Sequence, residues 1–81
     1  MRAKIRQFSA GSWRTIEVTT NPLRAKVEGG TPEGFDVKSW ALSLPPVLLD
    51  GKSTRLQENP EGWLERMSRM VYTRITVELI D

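Results

Sequence analysis

The stretch LRAKVE, residues 23–28, alternates strictly between aliphatic and charged side chains. Successive side chains of an extended chain point to opposite faces, so this pattern predicts a β-strand with one buried and one solvated face. Such a strand is stable only within a sheet that packs one face against a core. Gly29 and Gly30, with the turn-forming TPEG at 31–34, end the strand.

Two similar segments come before it. Residues 3–8, AKIRQF, and residues 13–20, WRTIEVTT, read as strands, and the second is rich in β-branched side chains. Ala-Gly-Ser at 10–12 forms a turn between them. Asn21-Pro22 ends the second segment, because proline cannot donate a hydrogen bond within a central strand. The three segments predict an antiparallel meander with short turns.

Residues 35–44 are interpreted as a longer strand whose apolar side chains change face halfway along. They are Phe35 and Val37 on one face, and Trp40, Leu42 and Leu44 on the other. Two alternatives account for the change: a β-bulge near Ser39, or a strand that is buried on both faces. Pro45 and Pro46 then end the strand in extended backbone.

Gly-Lys-Ser-Thr at 51–54 matches the end of a phosphate-binding loop, which needs another glycine five positions before Gly51. That position holds Pro46, and no helix is predicted to start directly after the motif. Asp50-Gly51 instead suits the two positive-φ positions of a type I′ turn. We therefore predict a hairpin that pairs residues 47–49 with 52–55, and no nucleotide site.

Asn59-Pro60 predicts the start of a helix, because asparagine is a good N-cap and proline fits the first turn. Apolar side chains recur at helical spacing from Trp63 to Val71, so the helix is expected to run from residue 60 to about residue 71. Residues 74–81, RITVELID, alternate again. They predict a final strand that pairs with an N-terminal strand.

These elements predict a single α+β domain over residues 1–81. Its architecture is a mainly antiparallel sheet of four to six strands, with one helix from the C-terminal half of the chain packed on one face. The length of 81 residues suits one domain with a small core. The 38% of hydrophobic and 27% of charged residues are typical of a folded chain rather than a disordered one.

The chain contains neither cysteine nor histidine. Thiolate and imidazole ligands are therefore missing, as is the commonest general base. No two carboxylates stand out as a catalytic pair, and no serine has a histidine to activate it. We expect no catalytic residue, no metal site and no cofactor, and a protein that is not an enzyme.

No apolar run approaches the roughly 20 residues of a membrane helix, and the N-terminus lacks the apolar stretch of a secretory signal. We expect a cytoplasmic protein that does not bind a membrane. Charge is unevenly distributed. Residues 1–26 carry six bases and one acid, whereas residues 27–81 carry six bases and nine acids. This imbalance predicts a polarised surface.

Basic side chains alternate along two of the predicted strands and therefore share faces. They are Arg2, Lys4 and Arg6 on the first strand, and Arg24 and Lys26 on the third. Two functions are open to such a patch: it solvates the outer face of the sheet, or it binds nucleic acid with Trp13 nearby. The net charge of only +2 favours the solvated face.

Trp40 and Trp63 are expected to lie in the core. Trp13 lies opposite the apolar residues of its strand, so it is expected to be exposed and to anchor a partner, unless the TPEG loop covers it. The apolar segment 41–51, ALSLPPVLLDG, either fills the core or presents an open strand edge to a partner or a second copy.

The function expected from these surfaces is a non-catalytic protein-interaction module: an adaptor, an accessory subunit or a small inhibitor encoded by a prokaryote or its virus. The expected protein contacts are Trp13, Arg14, Arg24 and Lys26, with Val47, Leu48 and Leu49 as an edge for a homodimer. Nucleic-acid binding is the alternative, through Arg2, Lys4, Arg6, Arg24 and Lys26.

Overall fold

Six strands and two helices make up the fold, and the computed structural model describes all 81 residues. The elements are β1 (Arg2–Ser9), β2 (Ser12–Thr20), β3 (Leu23–Val27), α1 (Val37–Leu42), β4 (Val47–Leu49), β5 (Lys52–Thr54), α2 (Pro60–Ser68) and β6 (Ile75–Leu79). Four strands form one antiparallel sheet in the order β3-β2-β1-β6, and β4 pairs with β5 in a separate hairpin. The predicted α+β class is confirmed.

The predicted N-terminal meander is also confirmed. β1 and β2 join through Ala10 and Gly11, which both have positive φ, at 52° and 81°. This geometry matches the right-handed twist of the two strands. In register, Ile5 of β1 lies opposite Ile16 of β2. The last strand, β6, pairs with β1, as expected, so the first and last strands lie side by side.

Alternate side chains of the sheet face a core on one side, which we call the inner face. Thirteen hydrophobic residues are buried there and in the elements that cover it. The sheet supplies Ala3, Ile5, Ile16, Val18 and Ile75, and α2 supplies Trp63, Leu64 and Met67. Burying one such large aliphatic side chain contributes about 1.5–3 kcal/mol. The other face of the sheet, the outer face, carries no helix.

The helix α2 begins where the sequence predicts. The Asn59 side chain accepts a hydrogen bond from the Gly62 backbone N–H at 3.1 Å, and Pro60 occupies the first turn. The predicted end near Val71 is wrong, because the helix ends at Ser68. Short-range bonds, from the Met70 N–H to the Met67 carbonyl and the equivalent bond at Arg69, tighten the last turn. At six and nine residues, α1 and α2 fall well short of a membrane-spanning helix.

The predicted strand over residues 35–44 is wrong, and neither a bulge nor burial on both faces occurs. The segment contains the short helix α1, whose N-cap is Asp36. The carboxylate of Asp36 accepts bonds from the backbone N–H of Ser39 at 3.2 Å and from its hydroxyl at 2.7 Å. Spacing of three and four residues brings Trp40, Ala41 and Leu44 into the core together.

The Gly-Lys-Ser-Thr segment lies in the β4–β5 hairpin, as predicted. Asp50 and Gly51 have φ of 49° and 77°, the two positive values that a type I′ turn requires. The hairpin pairs Leu49 with Lys52. It packs beside α2, where the indole N–H of Trp63 donates to the Pro45 carbonyl at 2.9 Å.

Candidate functional site

The outer face of the sheet is built from rows of side chains that run across the strands. One row joins Arg2, Thr19 and Arg24, and the next joins Lys4, Glu17 and Lys26. The strand alternation that buries the aliphatic residues directs all these polar side chains outward. The outer-face residues are Arg2, Lys4, Arg6, Phe8, Trp13, Thr15, Glu17, Thr19, Arg24, Lys26, Glu28, Arg74, Thr76, Glu78 and Ile80.

An aromatic–arginine cluster, made of Arg6, Phe8, Trp13 and Arg74, occupies one end of this face. The Phe8 and Trp13 rings meet edge to face, with centroids 5.6 Å apart and an angle of 65° between planes. The guanidinium carbon of Arg6 lies 5.2 Å from the Trp13 ring centroid, and that of Arg74 lies 5.5 Å from the Phe8 centroid. These distances fit edge-to-face aromatic contact and cation–π attraction.

Backbone pairing determines how the cluster assembles. The tight turn at Ala10–Gly11 sets Phe8 directly opposite Trp13 on the neighbouring strand. On the other side of β1, the N–H of Phe8 donates to the Arg74 carbonyl at 2.9 Å, which places Arg74 beside Phe8. Residues that are distant in sequence therefore converge on one end of the sheet.

Trp13 is exposed in the folded chain, with 45% of its surface accessible. The TPEG loop does not cover it. Instead, the Thr31 hydroxyl accepts a bond from the Val27 N–H at 3.1 Å. The other two tryptophans are buried as predicted. The indole N–H of Trp40 donates to the side-chain oxygen of Gln7 at 3.0 Å.

Acidic side chains neutralise much of the predicted basic patch. Lys26 lies 3.7 Å from Glu17, and Lys4 lies 3.5 Å from Glu28. Exposed pairs of this kind add little stability, but they reduce the positive potential of the face. Arg24 takes part in no ion pair.

Asp81 closes one corner of the outer face. The Arg2 backbone N–H and its guanidinium Nε donate to the Asp81 carboxylate, at 2.8 and 3.0 Å. These hydrogen bonds favour the charged carboxylate and lower the pKa of Asp81 below its ordinary value. Asp81 therefore occupies the Arg2 guanidinium and reduces its capacity to bind an external anion.

A shallow, open groove of about 450 Å³ lies on the outer face beside this corner. Thr19 and Arg24 line it together with the aliphatic side chain of Ile80. Glu17 also lines the groove and places a negative charge close to the basic residues. The groove therefore offers a mixed polar surface and not a purely cationic one.

Arg14, an expected contact residue, lies apart from Trp13. It points to the inner face with Gln7 opposite it, and its guanidinium carbon lies 5.9 Å from the Phe35 ring centroid. Its Nε is buried without a hydrogen-bond partner. The structure thus brings Trp13 together with Arg6 on one face and leaves Arg14 on the other.

The expected edge at Val47–Leu49 lies beside α2, apart from the outer face. Val47 is buried, with only 4% of its surface accessible. Leu49 is half-buried, whereas Leu48 is exposed at 60%. Within this segment, only Leu48 offers a large accessible side chain.

Arg74 belongs to the cluster but was not among the expected contacts. The signal that identifies it is the pairing of β6 with β1, which sets the start of the last strand against Phe8.

No group of three or more acidic side chains converges in a way that could hold a metal ion. No protein family, curated protein or solved structure matches the chain.

Proposed function

We propose that this protein is a non-catalytic interaction module that binds another protein through the outer face of its sheet. The observation that carries the proposal is the exposed indole of Trp13, which is in edge-to-face contact with Phe8 and lies beneath the guanidinium of Arg6. Tryptophan and arginine are enriched among residues that dominate protein–protein binding energy.

The cluster is preorganised for binding. Trp13 already contacts two neighbours on rigid, paired strands, so little side-chain freedom is lost when a partner covers it. Arg6 supplies guanidinium donors next to the indole, and Arg24 supplies more across the face. A partner that fits this surface presents an apolar pocket for the indole, with carboxylates or carbonyls around it.

The distribution of charge favours a protein over nucleic acid. Phosphate backbones bind best to surfaces of continuous positive potential. Here Glu17, Glu28 and Asp81 each lie within ion-pair distance of one of the five basic residues. Interleaved charges of both signs are complementary to a protein surface that carries both signs.

Photocrosslinking tests the proposal by capturing whichever molecule covers Trp13. A photoreactive tryptophan analogue, which keeps the indole ring, replaces Trp13 in the chain as expressed in its own host. The matched control places the same analogue at Leu42, which is exposed at 55% on α1. We expect a discrete protein adduct from position 13 and none from position 42. Adducts of equal yield from both positions, or none from position 13, would contradict the proposal.

Nucleic-acid binding is the alternative outcome, and a gel shift separates the two. A single-stranded oligonucleotide that shifts at low salt and is released steeply as salt rises would favour nucleic acid, because counterion release drives such binding. We expect no shift at low salt.

A further inference from the structure

The two edges of the four-stranded sheet differ in how they are protected. At the β3 edge, the Val27 N–H donates to the Thr31 hydroxyl, and the Val27 carbonyl accepts from the Gly30 N–H at 3.2 Å. Basic side chains also alternate along β3, a common guard against edge pairing. β6 carries no proline, lysine or bulge.

Hydrogen bonding shows which β6 groups remain free. Arg74 and Ile80, which flank β6, each form one backbone bond with β1: the Phe8 N–H donates to the Arg74 carbonyl, and the Ile80 N–H donates to the Arg2 carbonyl, both at 2.9 Å. In an antiparallel pair, bonded and outward-facing residues alternate. Ile75, Val77 and Leu79 therefore point their N–H and carbonyl groups away from the sheet. No loop or turn bonds to these groups.

We propose that β6 pairs with β6 of a second copy of this chain, in an antiparallel, two-fold symmetric contact. Val77 lies at the two-fold axis, and Ile75 of each copy lies opposite Leu79 of the other. Every outward N–H and carbonyl of the strand then has a partner. The two sheets join into one, and the open edge is removed.

Charge complementarity supports this occupant and this register. Glu78 and Arg74 lie on the outer face and form no ion pair within the chain. With Val77 on the axis, each Glu78 lies diagonal to Arg74 of the second copy, so the dimer contains two attractive contacts between opposite charges. The two Glu78 side chains also lie diagonal to each other, which adds one repulsive contact between like charges. A slip of two residues in one direction sets Glu78 directly against Glu78 of the second copy, which like-charge repulsion disfavours.

Apolar exposure at the same edge also fits a self-contact. Leu79 is 38% exposed although its side chain is on the inner face. In the proposed register Leu79 lies opposite Ile75 of the second copy. Contact between these two aliphatic side chains removes part of the accessible surface of Leu79 from water. The contact shares Arg74 with the aromatic–arginine cluster but does not include Trp13, so Trp13→Ala distinguishes it from the proposed function.

The lack of any cysteine in the chain allows a position-specific test. In Val77→Cys the two sulfurs of a dimer meet at the axis, where a Cα separation of roughly 5.5 Å suits a disulfide. Ala25→Cys, on the outward side of the β3 edge, is the matched control. We expect oxidation to give a covalent dimer of Val77→Cys and not of Ala25→Cys. Equal yields from both variants, or no dimer of Val77→Cys, would overturn the proposal.

Sedimentation equilibrium of the wild-type chain, from about 10 µM to about 1 mM, measures the contact without modification. We expect a monomer–dimer equilibrium that Glu78→Arg weakens roughly tenfold and that the double variant Arg74→Glu/Glu78→Arg restores to within about threefold. Trp13→Ala should leave the dimer constant unchanged. A wild-type chain that stays monomeric throughout, or a dimer insensitive to Glu78→Arg, would contradict pairing at β6 and leave this edge free for an unrelated strand.

Discussion

The guanidinium of Arg6 lies over the exposed indole of Trp13, 5.2 Å from the ring centroid. Trp40 and Trp63 are buried, so a neutral quencher such as acrylamide reaches Trp13 selectively. We expect Arg6→Ala to uncover the indole further and to raise the quenching constant. We expect Trp13→Phe to remove most of the quenchable fluorescence. Unchanged quenching in Trp13→Phe would show that Trp13 is not the accessible tryptophan.

Gln7 satisfies the indole N–H of Trp40 on the inner face, at 3.0 Å. Removal of this acceptor leaves a largely buried donor unpaired, so Gln7→Ala should lower the free energy of unfolding by about 1–3 kcal/mol. Urea denaturation measures the change. Gln57→Ala, at an exposed position, is the control and should change the free energy by no more than about 0.5 kcal/mol. Equal stabilities for the two variants would contradict a structural role for this bond.

Gly62 stands in the first turns of α2, where alanine ordinarily stabilises a helix by about 1 kcal/mol. Here a Cβ would lie 2.7 Å from the Asn59 side-chain nitrogen and 3.0 Å from a Leu49 methyl group. The added methyl must displace the capping side chain, and a lost N-cap costs roughly 1 kcal/mol. We therefore expect Gly62→Ala to lower the Tm or leave it unchanged. A clear rise in Tm would contradict this packing.

Hydrogen bonds from the Ser39 hydroxyl and backbone lower the pKa of Asp36, as those from Arg2 lower the pKa of Asp81. A carboxylate whose pKa is lower in the folded state stabilises the fold above its unfolded pKa. That contribution is lost as the pH falls through the folded pKa. Carboxyl NMR titration should show both groups titrating below the ordinary aspartate value of about 3.9.

Ser39→Ala separates the two carboxylates. It removes the hydroxyl bond to Asp36 and should raise the pKa of Asp36 towards its ordinary value, while Asp81 is unaffected. A pKa of Asp36 that does not move in this variant would contradict the role of the Ser39 hydroxyl.

Local sequence patterns were sufficient to predict most strands of the sheet. Strict alternation defines β3 and β6, because a slip of one residue would turn the aliphatic side chains of such a strand to solvent. The positive-φ requirement of a type I′ turn locates the Asp50–Gly51 hairpin, and Asn59-Pro60 locates the start of α2. In each case the chemistry of a few adjacent residues determines the local geometry.

The short helix α1 could not be recognised from apolar spacing. Val37, Trp40 and Leu44 fit a helical face, but a six-residue helix is too short for periodicity to exclude a strand. Contacts with the rest of the fold favour the helix over a strand: the Trp40 indole N–H donates a hydrogen bond to Gln7 on the sheet. The cluster around Trp13 was predicted in part for a similar reason, since Arg74 reaches Phe8 only through the pairing of the first and last strands.

A partner protein that binds the outer face with Trp13 as its anchor is the central proposal for this molecule. The most direct test is isothermal titration calorimetry with the partner protein that crosslinking identifies, purified in its free form. It is titrated against the wild-type chain, Trp13→Ala and the control Leu42→Ala. We expect Trp13→Ala to raise the Kd at least about thirtyfold, and Leu42→Ala to change it by no more than about twofold. A Kd for Trp13→Ala within about twofold of wild type would contradict this mode of binding.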